Sequence, residues 1–177
     1  MNSMKEIIAP IDKQIIKNEL NKDRFVRTTR KGGNEIYIVN HHNSPNTVKE
    51  IGRLREVTFR ASGGGTGEEI DLDEYDLNEI CYDQLIVWSP EDEEIVGGYR
   101  FIKCIKTLNI ESDDLLLSTS HYFDFTVKFI TEYLPLTIEL GRSWVQPNFQ
   151  PAVNPRKGLF ALDNIWDGLG AIVKTHL

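Results

Sequence analysis

Cysteine is scarce: Cys81 and Cys104 are the two in 177 residues, too few for the disulfide framework of a small secreted domain. No Cys/His spacing resembles a zinc site, and both thiols are expected to sit reduced in strands as small hydrophobes. No run approaches the roughly 20 apolar residues that cross a bilayer. The opening Met1-Asn-Ser-Met-Lys-Glu lacks the apolar core of a secretion signal, so the expected location is the cytoplasm. Positive charge is in deficit, 20 Lys+Arg against 27 Asp+Glu for a net charge of −7. That excludes a general nucleic-acid binder, because counterion release needs a basic face. Any acidic partner must find a local cationic patch. Internal repeats and low-complexity segments are absent. What is present, 40% hydrophobic and 10% aromatic residues, suffices for one domain over residues 1–177 but not for two independent cores.

Ile11, Ile15, Ile16 and Leu20 form a helical stripe in an N-terminal extension, residues 1–23. Two β-prone runs, 24–29 and 35–40, flank Gly32-Gly33 and read as a hairpin. His41 and His42 follow in a loop; without a third ligand candidate they read as solvent-facing, and no metal site is expected. Thr47-Val-Lys-Glu50 has the form of a capping box, opening a helix that runs to about Ala61. Gly63, Gly64, Gly65 and Gly67 then make a flexible loop, residues 62–70. It follows a helix rather than a strand, which argues for a lid or linker and against a P-loop. An acidic stretch to Asp76 comes next. A second hairpin pairs 82–88 with 94–103, and Gly97-Gly98 inside it signals a bulge or a close backbone approach. A short helix over 126–134 should stop at Pro135. A strand over 136–145, a proline-punctuated loop and a helix over 159–175 complete an α+β order.

Three charges break the binary pattern. Arg55 lies on one i,i+4 ridge with Ile51 and Phe59. A core-facing guanidinium needs carboxylate or carbonyl partners; the alternative is a side chain that snorkels from the stripe's edge. Arg100 shares phase with Gly98 and Ile102 in a strand otherwise built for burial. Glu139 sits in a strand with two apolar faces, where an acid is either paired or raised in pKa, and both states mark site candidates. Period two places Glu139 and Arg142 on opposite faces. A bulge at Gly141 would shift the phase and turn both toward one cleft. Structural ion-pair networks produce the same pattern.

Arg55-Glu-Val-Thr-Phe59, Asp73-Glu-Tyr-Asp76, Gly97-Gly-Tyr-Arg100 and Glu139-Leu-Gly-Arg142, in this order and at these intervals, resemble the acyl-homoserine-lactone synthases. In that family a GNAT-like fold moves an acyl group from acyl carrier protein to an amine. Ser62-Gly-Gly-Gly-Thr-Gly67 stands where that family has a tryptophan, which weakens the case for S-adenosylmethionine as acceptor. Glu139-Leu-Gly-Arg-Ser-Trp-Val-Gln-Pro and the run from Phe160 to Gly170 are more similar to the amino-acid-lipid N-acyltransferases, often labelled hemolysins. These acylate the α-amine of ornithine or glycine with a 3-hydroxyacyl chain. The likeness covers roughly residues 25–177. It implies a mixed, mainly antiparallel GNAT-like sheet flanked by helices, here lacking the C-terminal strands. Members of the group continue past the last helix to a strand beside which the acyl-pantetheine arm lies. The chain stops at Leu177, so a truncated domain is expected whose activity alone is left open. Its exposed sheet edge and an exposed apolar face on the last helix would favour association, including pairing with a second copy, or partial disorder.

The resemblance implies direct transfer without an acyl-enzyme, since neither cysteine neighbours a histidine as an activated nucleophile would. Glu139 would take the ammonium proton or orient the amine, and Arg142 and Arg55 would pair with Glu139 and the acidic cluster. Phe59 accompanies Arg55 at the substrate side. Asp73 and Asp76 would bind the acceptor's amine and Arg100 its carboxylate, although composition alone reads the two acids as a solvated loop. Arg156 and Lys157, otherwise a polar loop, would receive the carrier's phosphate at a helix N-terminus. Phe123, Phe125, Phe129, Trp144 and Phe160 either line an acyl tunnel or fill the core. The implied donor is acyl carrier protein, with no resident cofactor and a small amino acid as acceptor. Peripheral membrane contact fits a lipid product, though no basic amphipathic helix demands it. The alternatives are a coenzyme A-dependent N-acetyltransferase and a non-catalytic GNAT-like scaffold. In the scaffold, Arg55, Glu139 and Arg142 would satisfy one another with no open cleft beside them.

Overall fold

The computed structural model describes residues 4–108 and 115–176. Five strands, β1 (Phe25–Thr28), β2 (Glu35–Val39), β3 (Asp83–Ser89), β4 (Glu94–Lys103) and β5 (Ile138–Val145), lie side by side in chain order. Every neighbouring pair is antiparallel, so among the described residues the sheet is not mixed as expected. Gly32 and Gly33, both at positive φ, turn the β1–β2 hairpin.

Helices cover both faces. On one, α1 (Lys13–Glu19) and α2 (Pro45–Ala61) bury Ile16, Val48, Ile51 and Leu54 against Tyr37, Ile86, Ile95 and Trp144. On the other, α4 (Pro155–His176) buries Ala161, Ile165 and Ile172 against Ile36, Leu85, Tyr99 and Phe101. A sheet covered twice has no solvent face, which is why β3 and β4 are nearly continuous in apolar residues. A four-residue turn of helix, α3 (Glu74–Leu77), links α2 to β3.

Several local expectations need correction. The capping box at Thr47 does not form: Ser44 is the N-cap and Pro45 starts the helix, its fixed φ suiting the first helical position. Thr47 falls in the first turn instead, and its N–H and hydroxyl both donate to the Glu19 carboxylate at 2.7 Å. Glu50, itself buried, pairs with Arg53 at 2.5 Å and accepts the Ile11 N–H at 3.0 Å. The segment expected as a helix over 126–134 is helical from 127 onward, but a π turn (Phe129–Tyr133) running into a 3-10 turn (Leu134–Leu136) takes the place of α geometry over most of it. Pro135 has no N–H to continue an α pattern. Cys81 and Cys104 are buried and free but lie outside the strands, one just before β3 and the other just after β4.

Gly97 and Gly98 meet both expectations. A Cβ at Gly98 would collide with the Leu85 carbonyl oxygen, and one at Gly97 with that of Trp144. The β3–β4 register slips beside them, between Val87 and Trp88.

Candidate active site

Arg55 leaves α2 on its core-facing ridge and is fully buried. The chain doubles back after α2 so closely that a Cβ at Gly52 would strike Leu72 and Ile70, and the Asp71 N–H donates to the Gly52 carbonyl at 3.1 Å. This return delivers Asp71 to Arg55. Nε of Arg55 is 3.2 Å from Asp71 Oδ2, and Nη1 is 3.2 Å from Asp76 Oδ1. Asp76 is held by its place on α3, where its Oδ2 accepts the Asp73 N–H at 3.2 Å. Gln84 of β3 donates to Asp76 Oδ1 at 2.8 Å.

Arg100, opposite Gln84 in the β3–β4 register, completes the cluster. Its Nη1 meets Asp73 at 2.6 Å and Asp76 at 3.2 Å, and its guanidinium lies over the rings of Tyr82 (5.0 Å) and Tyr75 (5.5 Å). Burial pushes the pKa of Asp73 up, but the hydrogen bond and charge of Arg100, with Arg55 and Arg142 beyond, outweigh it and hold the carboxyl below the usual range. Burial likewise lowers the pKa of Arg100, and its bond to Asp73 and the charges of Asp76 and Asp73 raise it overall.

The β5 bulge is real, one residue from where it was expected. Between Gly98↔Trp144 and Arg100↔Gly141, β5 gains one residue on β4. The left-handed residue is Arg142 itself, at φ 51°, and Gly141 is not. The extra residue turns Arg142 to the side of the sheet that carries Arg100 and Glu139. There its Nη2 lies 3.5 Å from both Asp71 and Asp73. A non-glycine residue held at this φ stores of the order of 1 kcal/mol or more and clusters at functional sites.

Glu139 corrects one expected pairing: it bonds neither Arg55 nor Arg142. Three hydroxyls donate to it, Tyr82 (2.6 Å) and Ser118 (2.5 Å) to Oε1 and Thr119 (2.6 Å) to Oε2. Burial raises its pKa, but these three hydrogen bonds win, and the carboxyl lies below the usual glutamate range. Its link to the cluster is Tyr82, whose hydroxyl it accepts and whose ring carries Arg100. Asp76 is likewise enclosed by Arg55, Arg100 and Gln84 and has no face open to an amine. Asp73 retains some exposure. Phe59 packs, half-buried, against the α2-side core rather than joining the cluster.

Among the described residues nothing pairs the outer edge of β5. Between that edge and α4 run two adjoining hollows of about 340 and 520 Å³ that share Ser143 and Leu162. The first is also lined by Tyr99, Leu140, Arg142 and Trp166. Arg142 therefore belongs both to the charge cluster and to the groove. The Tyr99 hydroxyl is buried without a hydrogen-bond partner. Arg156 and Lys157 line a different cavity, of about 420 Å³, beside Glu91, Asp92 and Phe149. Lys157 is ion-paired with Asp92 there, and these acids oppose an incoming phosphate. The five aromatics do not converge on one tunnel. Trp144 is in the α2-side core, Phe160 flanks the Arg156 cavity, and Phe125 stacks on Phe129 at 5.2 Å.

A profile for the acetyltransferase (GNAT) domain matches residues 54–156, a span that takes in every charge of this cluster, and the chain belongs to that family. Two curated relatives bring the comparison nearer. A glycine N(alpha)-acyltransferase of Bacteroides thetaiotaomicron is 56% identical over 96% of this chain and 50% of its own length. Another of the same name from Phocaeicola vulgatus is 54% identical over 96% of this chain and 52% of its length. The chain thus spans about half the length of these relatives. No solved structure matches it.

Sequence reasoning missed Asp71, Gln84, Tyr82, Tyr75, Tyr99, Ser118, Thr119 and His121. Asp71 stood in an acidic stretch whose members look alike until the fold selects among them. Ser118-Thr-Ser-His121, four polar side chains in a segment left unassigned, carried the one usable signal. His121 Nε2 is 2.7 Å from the Tyr75 hydroxyl, at the exposed rim of the same cluster.

Proposed function

We propose that this chain is the amine-acylating domain of a glycine N-acyltransferase, moving a 3-hydroxyacyl chain from acyl carrier protein to the glycine α-amine. The observation that carries the reading is Arg142. Its strained backbone at the bulge joins the open groove along β5 to the buried charge cluster, so a donor in the groove meets an acceptor at the cluster. The names of the two relatives supply glycine. A scaffold would have Arg55, Glu139 and Arg142 closed upon one another and no cleft beside them. Here Glu139 is held by hydroxyls and a groove lies alongside.

In this mechanism the pantetheine arm extends along the free edge of β5, whose unpaired backbone groups suit an extended chain. The amine nitrogen attacks the thioester carbonyl carbon, the C–N bond forms, and the C–S bond breaks. The thiolate departs with a proton. The glycine ammonium gives one proton to Glu139, relayed by one of the hydroxyls that donate to it. That carboxylate is ionised at the start because those bonds keep its pKa low, and it later releases the proton to water. The second N–H proton, shed as the C–N bond forms, is the one that leaves on the thiolate. Arg142 and the unpartnered Tyr99 hydroxyl, at the end of the groove, polarise the thioester carbonyl. Asp73, the acid with remaining exposure, attracts the ammonium form. Arg55, Asp71 and Asp76 hold the parts in register.

The test uses a chimera in which this chain replaces the matching half of the Bacteroides relative, assayed with glycine and either 3-hydroxyacyl carrier protein or acetyl coenzyme A. Transfer from the carrier protein is expected, and Glu139→Gln lowers it about a hundredfold or more. Unchanged transfer in that variant removes Glu139 from the chemistry. A drop with His121→Ala alone would move the proton to His121. Transfer from acetyl coenzyme A only would overturn the carrier-protein donor.

A further inference from the structure

The two histidines read as solvent-facing acquire the third ligand candidate that the sequence did not show. The β2–β3 register pairs Val39 with Gln84, which sets the loop after β2 beside the lead-in to β3. Asn40 Nδ2 fastens the two by donating to Asp83 Oδ1 at 2.9 Å. One ligand atom from each of His41, His42 and Cys81 then lies within 4.8 Å of the others. From this geometry we propose that His41, His42 and Cys81 form a binding site for a divalent transition ion of the zinc class, independent of the acyl-transfer site.

Three features suit a metal better than a chance stack of rings. His42 Nε2 lies 3.0 Å from the Glu79 carbonyl oxygen. Such a bond places the proton on Nε2 and leaves the Nδ1 lone pair free, the arrangement by which a backbone carbonyl orients a metal-binding imidazole. His41 Nδ1 is buried and has no hydrogen-bond partner, a cost that a metal bond would remove. The two rings lie 3.8 Å apart, centroid to centroid, close enough for both to reach one ion. One sulfur and two imidazole nitrogens select zinc, cobalt or copper over magnesium or calcium. With bonds of about 2.0–2.3 Å, tetrahedral ligands stand about 3.3–3.8 Å apart. Closing the site therefore needs about an ångström of side-chain rotation. The fourth position falls to water. The Cys81 proton is released as the thiolate binds. The bound ion would clasp the β2–α2 loop to the residue just before Tyr82, which makes it a structural brace.

Cobalt(II), a spectroscopic stand-in for zinc, tests this when titrated into the untagged, reduced chain. The expected result is one equivalent bound, with a thiolate-to-cobalt charge-transfer band in the near ultraviolet that zinc abolishes. Cys81→Ser removes the band and Cys104→Ser keeps it. His42→Ala, at an exposed side chain, weakens binding by no less than the roughly tenfold that even outer-shell changes cost. Circular dichroism confirms that each variant is folded. A folded chain that gives no band with excess cobalt, or a band that survives Cys81→Ser, overturns the site.

Discussion

Replacing Arg55 by alanine tests whether the charge cluster is a buried unit. In the native chain the guanidinium is fully enclosed and bridges two carboxylates, Asp71 on two nitrogens (3.2 and 3.3 Å) and Asp76 on the third (3.2 Å). Removing one partner of a buried pair costs about 3–5 kcal/mol because an uncompensated charge is left behind. The two acids do not suffer equally. Asp76 keeps Gln84, Arg100 and the Asp73 N–H. Among the described residues Asp71 keeps only the looser, 3.5 Å contact with the partly exposed Arg142. The expected loss is therefore near the lower end, about 3 kcal/mol. With a urea slope of about 2 kcal/mol/M, the midpoint falls by about 1.5 M. Urea titration followed by the fluorescence of buried Trp88 and Trp144 measures it. Arg55→Ala with Asp71→Asn should recover part of the loss, since the second change neutralises the stranded charge. Arg55→Lys should recover little, because an ammonium cannot reproduce the forked contact. A midpoint within 0.3 M of wild type, about 0.6 kcal/mol on the same slope, would show that water reaches the cluster and would refute the argument.

Acid stability follows from the depressed carboxylates. Asp73 and Glu139 lie below their ordinary values of 3.8 and 4.5 when folded. Their contribution is present above those values and drains away as pH falls through them toward the folded pKa. Glu139→Gln should therefore flatten the loss of Tm between neutral pH and pH 3, and an unchanged slope would count against the hydroxyl cage. Gly98→Ala must push the Leu85 carbonyl away and should destabilise by about 1–3 kcal/mol, read as a lower urea midpoint; a neutral result would contradict the close strand approach. Gly170→Ala is the converse. Nothing lies within 4 Å of its would-be Cβ in α4, and helix propensity predicts a gain of about 0.5–1 kcal/mol, which thermal unfolding detects.

The sheet's strands and its main helices were legible because their signals are local. β-Branched and aromatic runs, paired glycines and a 3.6-residue stripe each report on the backbone of a few neighbouring residues. The errors at that level were competitions between local rules, Pro45 against Thr47 for the start of α2, and Pro135 against a helix. Arg55, Arg100 and Glu139 stood out because a charge in an apolar pattern announces that a partner exists. The pattern does not say who the partner is. Glu139 was assigned to arginines and is instead held by Tyr82, Ser118 and Thr119, the last two from a segment with no periodicity to place it.

The sequence by itself determined the α+β layers and the need for buried charge pairing, since both follow from polarity and backbone preference along the chain. Only the tertiary structure decided the pairings, the left-handed Arg142 that joins groove to cluster, and the approach of Cys81 to His41 and His42. Those depend on strand register and on one inserted residue, where a shift of a single position moves a side chain to the other face of the sheet.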